Sequence, residues 1–282
     1  MLNGKYTNPG GSGRGSGGPL AYMRRRWGSD LPLATVGITL ICILVWLVQM
    51  IAYLLQPQDY LTVLVNRLAF APALALRSPW MFVTSMFMHS TNVTHILFNM
   101  ITLWVVGPVL ERFLGRWRFL VLYLLSGLGG DLGLMVYAAL VPSGWSTSAI
   151  GASGALFGLF GAILVIYRRM GMDIRSMVIW MILNFCMPLI VPGIAWQDHV
   201  GGFLAGLLYM VALDRIAGRA RTARSFTVRW IGIAIVFLGV IAALAFLCNM
   251  TNPIPFMQGA PAANYTRVIY PQLLIKVWIS CV

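Results

Sequence analysis

The sequence predicts an all-α, polytopic membrane protein: a bundle of seven spanning helices. Three observations carry that prediction. The chain is 59% hydrophobic and only 10% charged, whereas a soluble domain is about a quarter charged. Uncharged apolar stretches recur from Leu33 almost to the carboxy terminus, each long enough to cross a hydrocarbon layer about 30 Å thick. No period-two alternation of the kind that marks barrel strands runs through them.

Residues 1–30 hold Gly10-Gly11-Ser12-Gly13 and Gly15-Ser16-Gly17-Gly18 ahead of Arg24-Arg25-Arg26, the composition of a flexible basic arm. Leu33 to Leu55 is 23 residues without a charge. That exceeds a signal-peptide core and lacks a convincing cleavage site, so it reads as a retained first helix. Residues 56–92 carry Pro57, Pro72 and Pro79 between short apolar pieces, which suits an interfacial or re-entrant connection better than a span. Further spans are expected at about 94–110, 119–140, 149–167, 176–195, 199–213 and 230–248. Residues 31–215 then form a six-helix core, and 216–250 supply a cytoplasmic loop and a seventh helix. The prolines at 253, 255, 261 and 271 make 251–282 an extracytoplasmic tail rather than a long helix.

The net charge of +13 does not point to nucleic acid, because the basic residues occupy short segments between apolar runs. Sixteen of the 20 lie in the arm and in the loops after helices 2, 4 and 6; Arg67, Arg77, Arg267 and Lys276 fall on the other side. The richer side is the cytoplasmic one, which puts the amino terminus inside and the carboxy terminus outside. Cys42 and Cys186 sit in apolar spans as small hydrophobes, and pairing of Cys248 with Cys281 stays open. No Cys-x-x-Cys or His-Glu-x-x-His pattern offers a metal site, and no cofactor is expected.

Polar groups inside the spans mark function. Ser153 lies 15 residues before Arg168, His199 lies 15 before Asp214, and His95 lies 16 before Glu111. At the helical rise each interval covers roughly 22–24 Å. Helices 2, 4 and 6 run in the same direction, so the three groups share one depth near the outer face. A serine becomes a nucleophile when a neutral imidazole takes its proton, and Ser153 with His199 supply that pair. Gly154, Gly158 and Gly161 on one helix and Gly202 and Gly206 on the other permit the close approach the pair needs. His95 and Asn99, four apart on one face, can donate to an oxyanion, with the backbone N–H of Ser153 as a third donor. Phe157, one turn after Ser153, can stack on the His199 ring. Asp198 adjoins His199 but points elsewhere on a helix, so it is expected as a solvated acid at the helix start, leaving a dyad. His89 reads as fixing the long connection, and Asp131 is an intramembrane acid whose partner the sequence does not name.

Taken together, Gly151-Ala152-Ser153-Gly154-Ala155-Leu156-Phe157-Gly158, His199-Val200-Gly201-Gly202-Phe203-Leu204-Ala205-Gly206, His95-Ile96-Leu97-Phe98-Asn99 and Gly107-Pro108-Val109-Leu110-Glu111-Arg112-Phe113-Leu114-Gly115 resemble the rhomboid family of intramembrane serine proteases. The resemblance covers roughly residues 60–215, in the family's order. It implies a six-helix core with Ser153 as nucleophile and His199 as base, and it places Gly151, His95 and Asn99 around the oxyanion. It also implies cleavage of transmembrane protein substrates near their outer ends, with helix 7 as the extra span of some members. Two positions depart from the family: Phe157 stands where tyrosine is common, and Trp80-Met81 replaces a Trp-Arg pair. The partners expected are transmembrane substrates and membrane lipids, in a bacterial plasma membrane, with the oligomeric state open. A catalytically silent relative that binds transmembrane helices is the alternative; a transporter fits poorly, because the polar sites cluster at one depth.

Overall fold

A computed structural model of the chain describes residues 31–57, 60–190, 194–217 and 222–253. The expected basic arm, most of the tail and Cys281 lie outside them. Among the described residues seven helices exceed a dozen residues: α1 (Leu33–Leu55), α2 (Val93–Leu114), α3 (Arg116–Leu140), α4 (Ser153–Arg169), α5 (Arg175–Ile190), α6 (Trp196–Ala217) and α7 (Ala223–Asn249). Five of them, α1, α2, α3, α6 and α7, contain stretches long and apolar enough to cross a membrane.

The ends follow local chemistry. Asn92 caps α2 by accepting the Thr94 N–H at 2.9 Å, and Thr222 and Ser225 form a reciprocal capping box at the start of α7. Gly115, at φ 81°, is the whole connection between α2 and α3; only a residue without a Cβ turns there without strain. Several helices outrun the apolar stretches that signal them. α2 continues past residue 110 with Pro108 inside it, α6 starts at Trp196, and α7 starts at Ala223 rather than near 230. The span ends where hydrocarbon ends, whereas the helix continues until its backbone bonds find another partner. α4 starts only at Ser153, after Pro142–Ser146 makes one short helical turn.

Glycine faces set the centre of the bundle. α6 is gripped on two sides. Gly202 and Gly206 lie against the carbonyls of Gly154 and Gly158 on α4, while Gly201 and Ala205 lie against Gly129 and Gly133 on α3. A Cβ at Gly161 would stand 2.6 Å from the Phe203 carbonyl. The pairs Gly154–Gly202 and Gly158–Gly206 share one offset, so α4 and α6 run parallel in fixed register. Arg169 pairs with Asp214 at their far ends. Of the five membrane-length helices α3 is the most enclosed, 61% buried over its most apolar stretch, against 22% for α1 and 11% for α7.

Two sets of polar contacts fasten the rest. Glu111, buried near the end of α2, accepts the N–H groups of Ala34 and Thr35 and the Thr35 hydroxyl, each at 2.8 Å. It thus serves the first turn of α1, which has no side-chain cap of its own. Residues 60–92 form a chain of short turns. Trp80 Nε1 donates to the Arg67 carbonyl at 2.8 Å and Thr84 Oγ1 to the Leu68 carbonyl at 2.7 Å. Phe70 and Ala149 exchange backbone bonds at 3.0 and 2.9 Å, which ties this connection to the segment entering α4.

Candidate active site

Ser153 is the first residue of α4, reached through Gly151 at φ 123°. That backbone conformation excludes ordinary side chains, and so does the space around it. A Cβ at Gly151 would lie 2.9 Å from His95 Nε2 and 3.7 Å from Ser153 Oγ. The Gly151 N–H is already committed, donating to the Ser85 carbonyl at 2.9 Å. Gly151 therefore contributes room rather than a donor.

The tautomer of His95 follows from its neighbour. The Ser90 backbone N–H, which can only donate, reaches His95 Nδ1 at 3.2 Å, so Nδ1 accepts and the proton of a neutral ring sits on Nε2. That N–H faces the space over Gly151. Asn99 donates one amide hydrogen to the His95 carbonyl at 2.8 Å, which holds the side chain against its own helix; a second hydrogen remains. His89 is fully buried and fixes the loop that carries Ser90. Its backbone N–H donates to Gln49 Oε1 at 3.0 Å and its carbonyl accepts from Gln49 Nε2 at 2.9 Å.

His199 is buried on the first turns of α6. Phe157 stacks on its ring, with centroids 4.2 Å apart and planes 19° apart. Nδ1 of His199 is buried without a hydrogen-bond partner among the described residues. Ser153, His199, His95, Asn99 and Phe157 all line one cavity of about 370 Å³. No hydrogen bond joins Ser153 to His199 within it. Gly202 and Gly206 stand in the α4–α6 seam behind these residues.

One expectation is corrected. Asp198 stands in the first turn of α6 as expected, but it is buried rather than solvated, 8% exposed. Its carboxylate lies against Gly130 of α3 and Gly154 of α4, because two glycines side by side leave a slot that only a short side chain fills. With Asp131 and Ser85 it lines a second cavity of about 10 Å³, and Oδ2 of Asp131 has no hydrogen-bond partner among the described residues. The neighbours of Asp131 that the sequence left unnamed are thus the Ser85 side chain, which hydrogen-bonds it, and a second carboxyl. Sequence reasoning also missed Ser90, whose part in fixing the His95 tautomer has no local signature, and the α3 glycines, whose spacing of four was visible.

These features have counterparts in known proteins. A family model described as the Rhomboid domain matches residues 76–216, half of the chain. The chain belongs to the rhomboid family. Similar curated proteins include the rhomboid protease GluP of Bacillus subtilis, 32% identical over 142 residues, which are 48% of this chain and 26% of that protein. The putative rhomboid protease YdcA of the same organism is 35% identical over 134 residues, 46% of this chain and 64% of its own length. Rhomboid protease AarA of Providencia stuartii is 29% identical over 168 residues, 51% of this chain and 59% of that protein. The chain spans less than two thirds of the length of each. As a rhomboid with several membrane-length helices, it is a multi-pass integral membrane protein.

Proposed function

We propose that the protein is an intramembrane serine endopeptidase that cuts transmembrane protein substrates with a Ser153–His199 dyad. The observation that carries this reading is the vacancy at Gly151. The place a side chain would fill lies within hydrogen-bond distance of His95 Nε2 and beside Ser153 Oγ. An oxyanion formed when Ser153 attacks a carbonyl belongs in that place.

The steps follow from the groups present. His199 takes the hydroxyl proton as Ser153 Oγ bonds to the carbonyl carbon of the scissile peptide. The oxyanion receives the His95 Nε2–H, the free amide hydrogen of Asn99 and the Ser153 backbone N–H. Collapse breaks the C–N bond, and the departing amine takes the proton from His199. Water then repeats the sequence on the acyl-serine, its proton passing through His199 and returning to Ser153. The substrate strand lies between α2, which supplies Phe98, Asn99 and Thr102 to the cavity wall, and α5, which supplies Trp180, Leu183 and Asn184. The loops richest in arginine face the cytoplasm, and Ser153 opens toward the opposite side.

The test uses purified protein in liposomes with a single-span substrate. Ser153→Ala and His199→Ala each abolish cleavage, and a fluorophosphonate labels the unaltered protein but not Ser153→Ala. Binding of transmembrane helices without cleavage or labelling identifies a silent relative instead.

A further inference from the structure

A triad orients its imidazole with a carboxylate on Nδ1. Here that nitrogen is buried without a partner among the described residues, so the ring's orientation falls to its aromatic contacts. Phe157 supplies the stacking face, and what holds Phe157 matters in turn. Its ring lies 4.4 Å from Phe185 of α5, at 57°, and meets Phe160 edge-on at 5.8 Å. Phe185 also meets Phe203 edge-on at 5.9 Å, and Phe203 stands one turn after His199 on α6. One side chain of α5 therefore touches the ring that orients the imidazole and the helix that carries it.

We propose that Phe185 is a positioning residue that sets the orientation of His199 through Phe157, making the seating of α5 a condition for an aligned dyad. The proposal rests on the dyad reading above. α5 is suited to such a part. Ile179 and Ile182 point outward, 58% and 55% exposed, while Met177, Met181 and Phe185 recur every four residues and pack toward the core. Trp180, Leu183 and Asn184 wall the cavity. A helix that both walls the cavity and holds the stack reports its own position to the base.

Two readouts separate this proposal from the dyad reading. The chain has three histidines, so protein labelled with carbon-13 histidine gives few ring signals, and His199→Gln assigns one. Phe185→Leu, which removes the ring at similar volume, should move the His199 signal toward its place in Phe157→Ala, whether or not the protein hydrolyses anything. Labelling of Ser153 by a small fluorophosphonate, which needs an aligned base but no substrate helix, should slow by roughly ten- to a hundredfold in Phe185→Leu and Phe185→Ala. Phe185→Tyr should restore it to within about twofold, and Phe157→Ala with Phe185→Ala should label no more slowly than Phe157→Ala alone, since residues acting through one contact are not additive. An unmoved His199 signal together with unchanged labelling in Phe185→Leu overturns the proposal, even if substrate cleavage changes. Absence of labelling in the unaltered protein overturns the dyad and leaves the spectroscopic test standing.

Discussion

α6 and α5 are neighbours along the chain and opposites in attachment. α6 is locked between α3 and α4 by glycines that bring backbones together on two sides, and it carries His199. α5 meets the bundle through Met177, Met181 and Phe185, walls the cavity with Trp180, Leu183 and Asn184, and leaves Ile179 and Ile182 exposed. The contrast separates two demands on one cavity. In the proposed dyad, the groups that exchange a proton need fixed positions, which direct backbone contact gives. On the proposed reading, a wall that admits a helix-sized substrate must yield, and side-chain contact alone gives way more easily.

Each prediction strains one side of that contrast. The largest effect belongs to Gly202→Leu, whose side chain would enter the Gly154 carbonyl; unfolding in mixed detergent micelles should show a loss of about 3 kcal/mol or more, or no folded protein. Glu111→Ala strips the first turn of α1 of its acceptor and should cost about 1–3 kcal/mol by the same measurement, with labelling of Ser153 in the surviving fold unchanged. Asp131→Asn keeps the shape beside Asp198 and removes one of two facing carboxyls, which disfavour each other; stability should rise by on the order of 1 kcal/mol. Ile182→Ala, on the outward face of α5, should change stability by less than about 0.5 kcal/mol. A large loss there would show α5 to be as firmly held as α6 and erase the contrast.

Much of this was legible in the chain. Apolar length gave the helices, and the equal intervals from Ser153 and His199 to the first charges anticipated their common level, which the α4–α6 register and the Arg169–Asp214 pair explain. Phe157 was readable as a stacking ring because it follows Ser153 by one turn. What escaped depends on which groups meet across helices. Asp198 looked solvated because its sequence neighbours give no sign that glycines of two other helices make a slot for it. Ser90 and Phe185 act through geometry that periodicity does not encode. Helix ends were misjudged where a backbone continues beyond its hydrophobic stretch, as in α2 and α7.

The carboxylate at position 111 has a consequence for how the protein is made. Its bonds reach back 76 and 77 residues to the start of the first helix. While the nascent chain is being threaded into lipid, those two amides have no protein partner until the second span has fully emerged. These two bonds therefore form late and from the far end of the hairpin, after Trp46 and Gln49 of the same helix can already reach the Ser90 and His89 carbonyls.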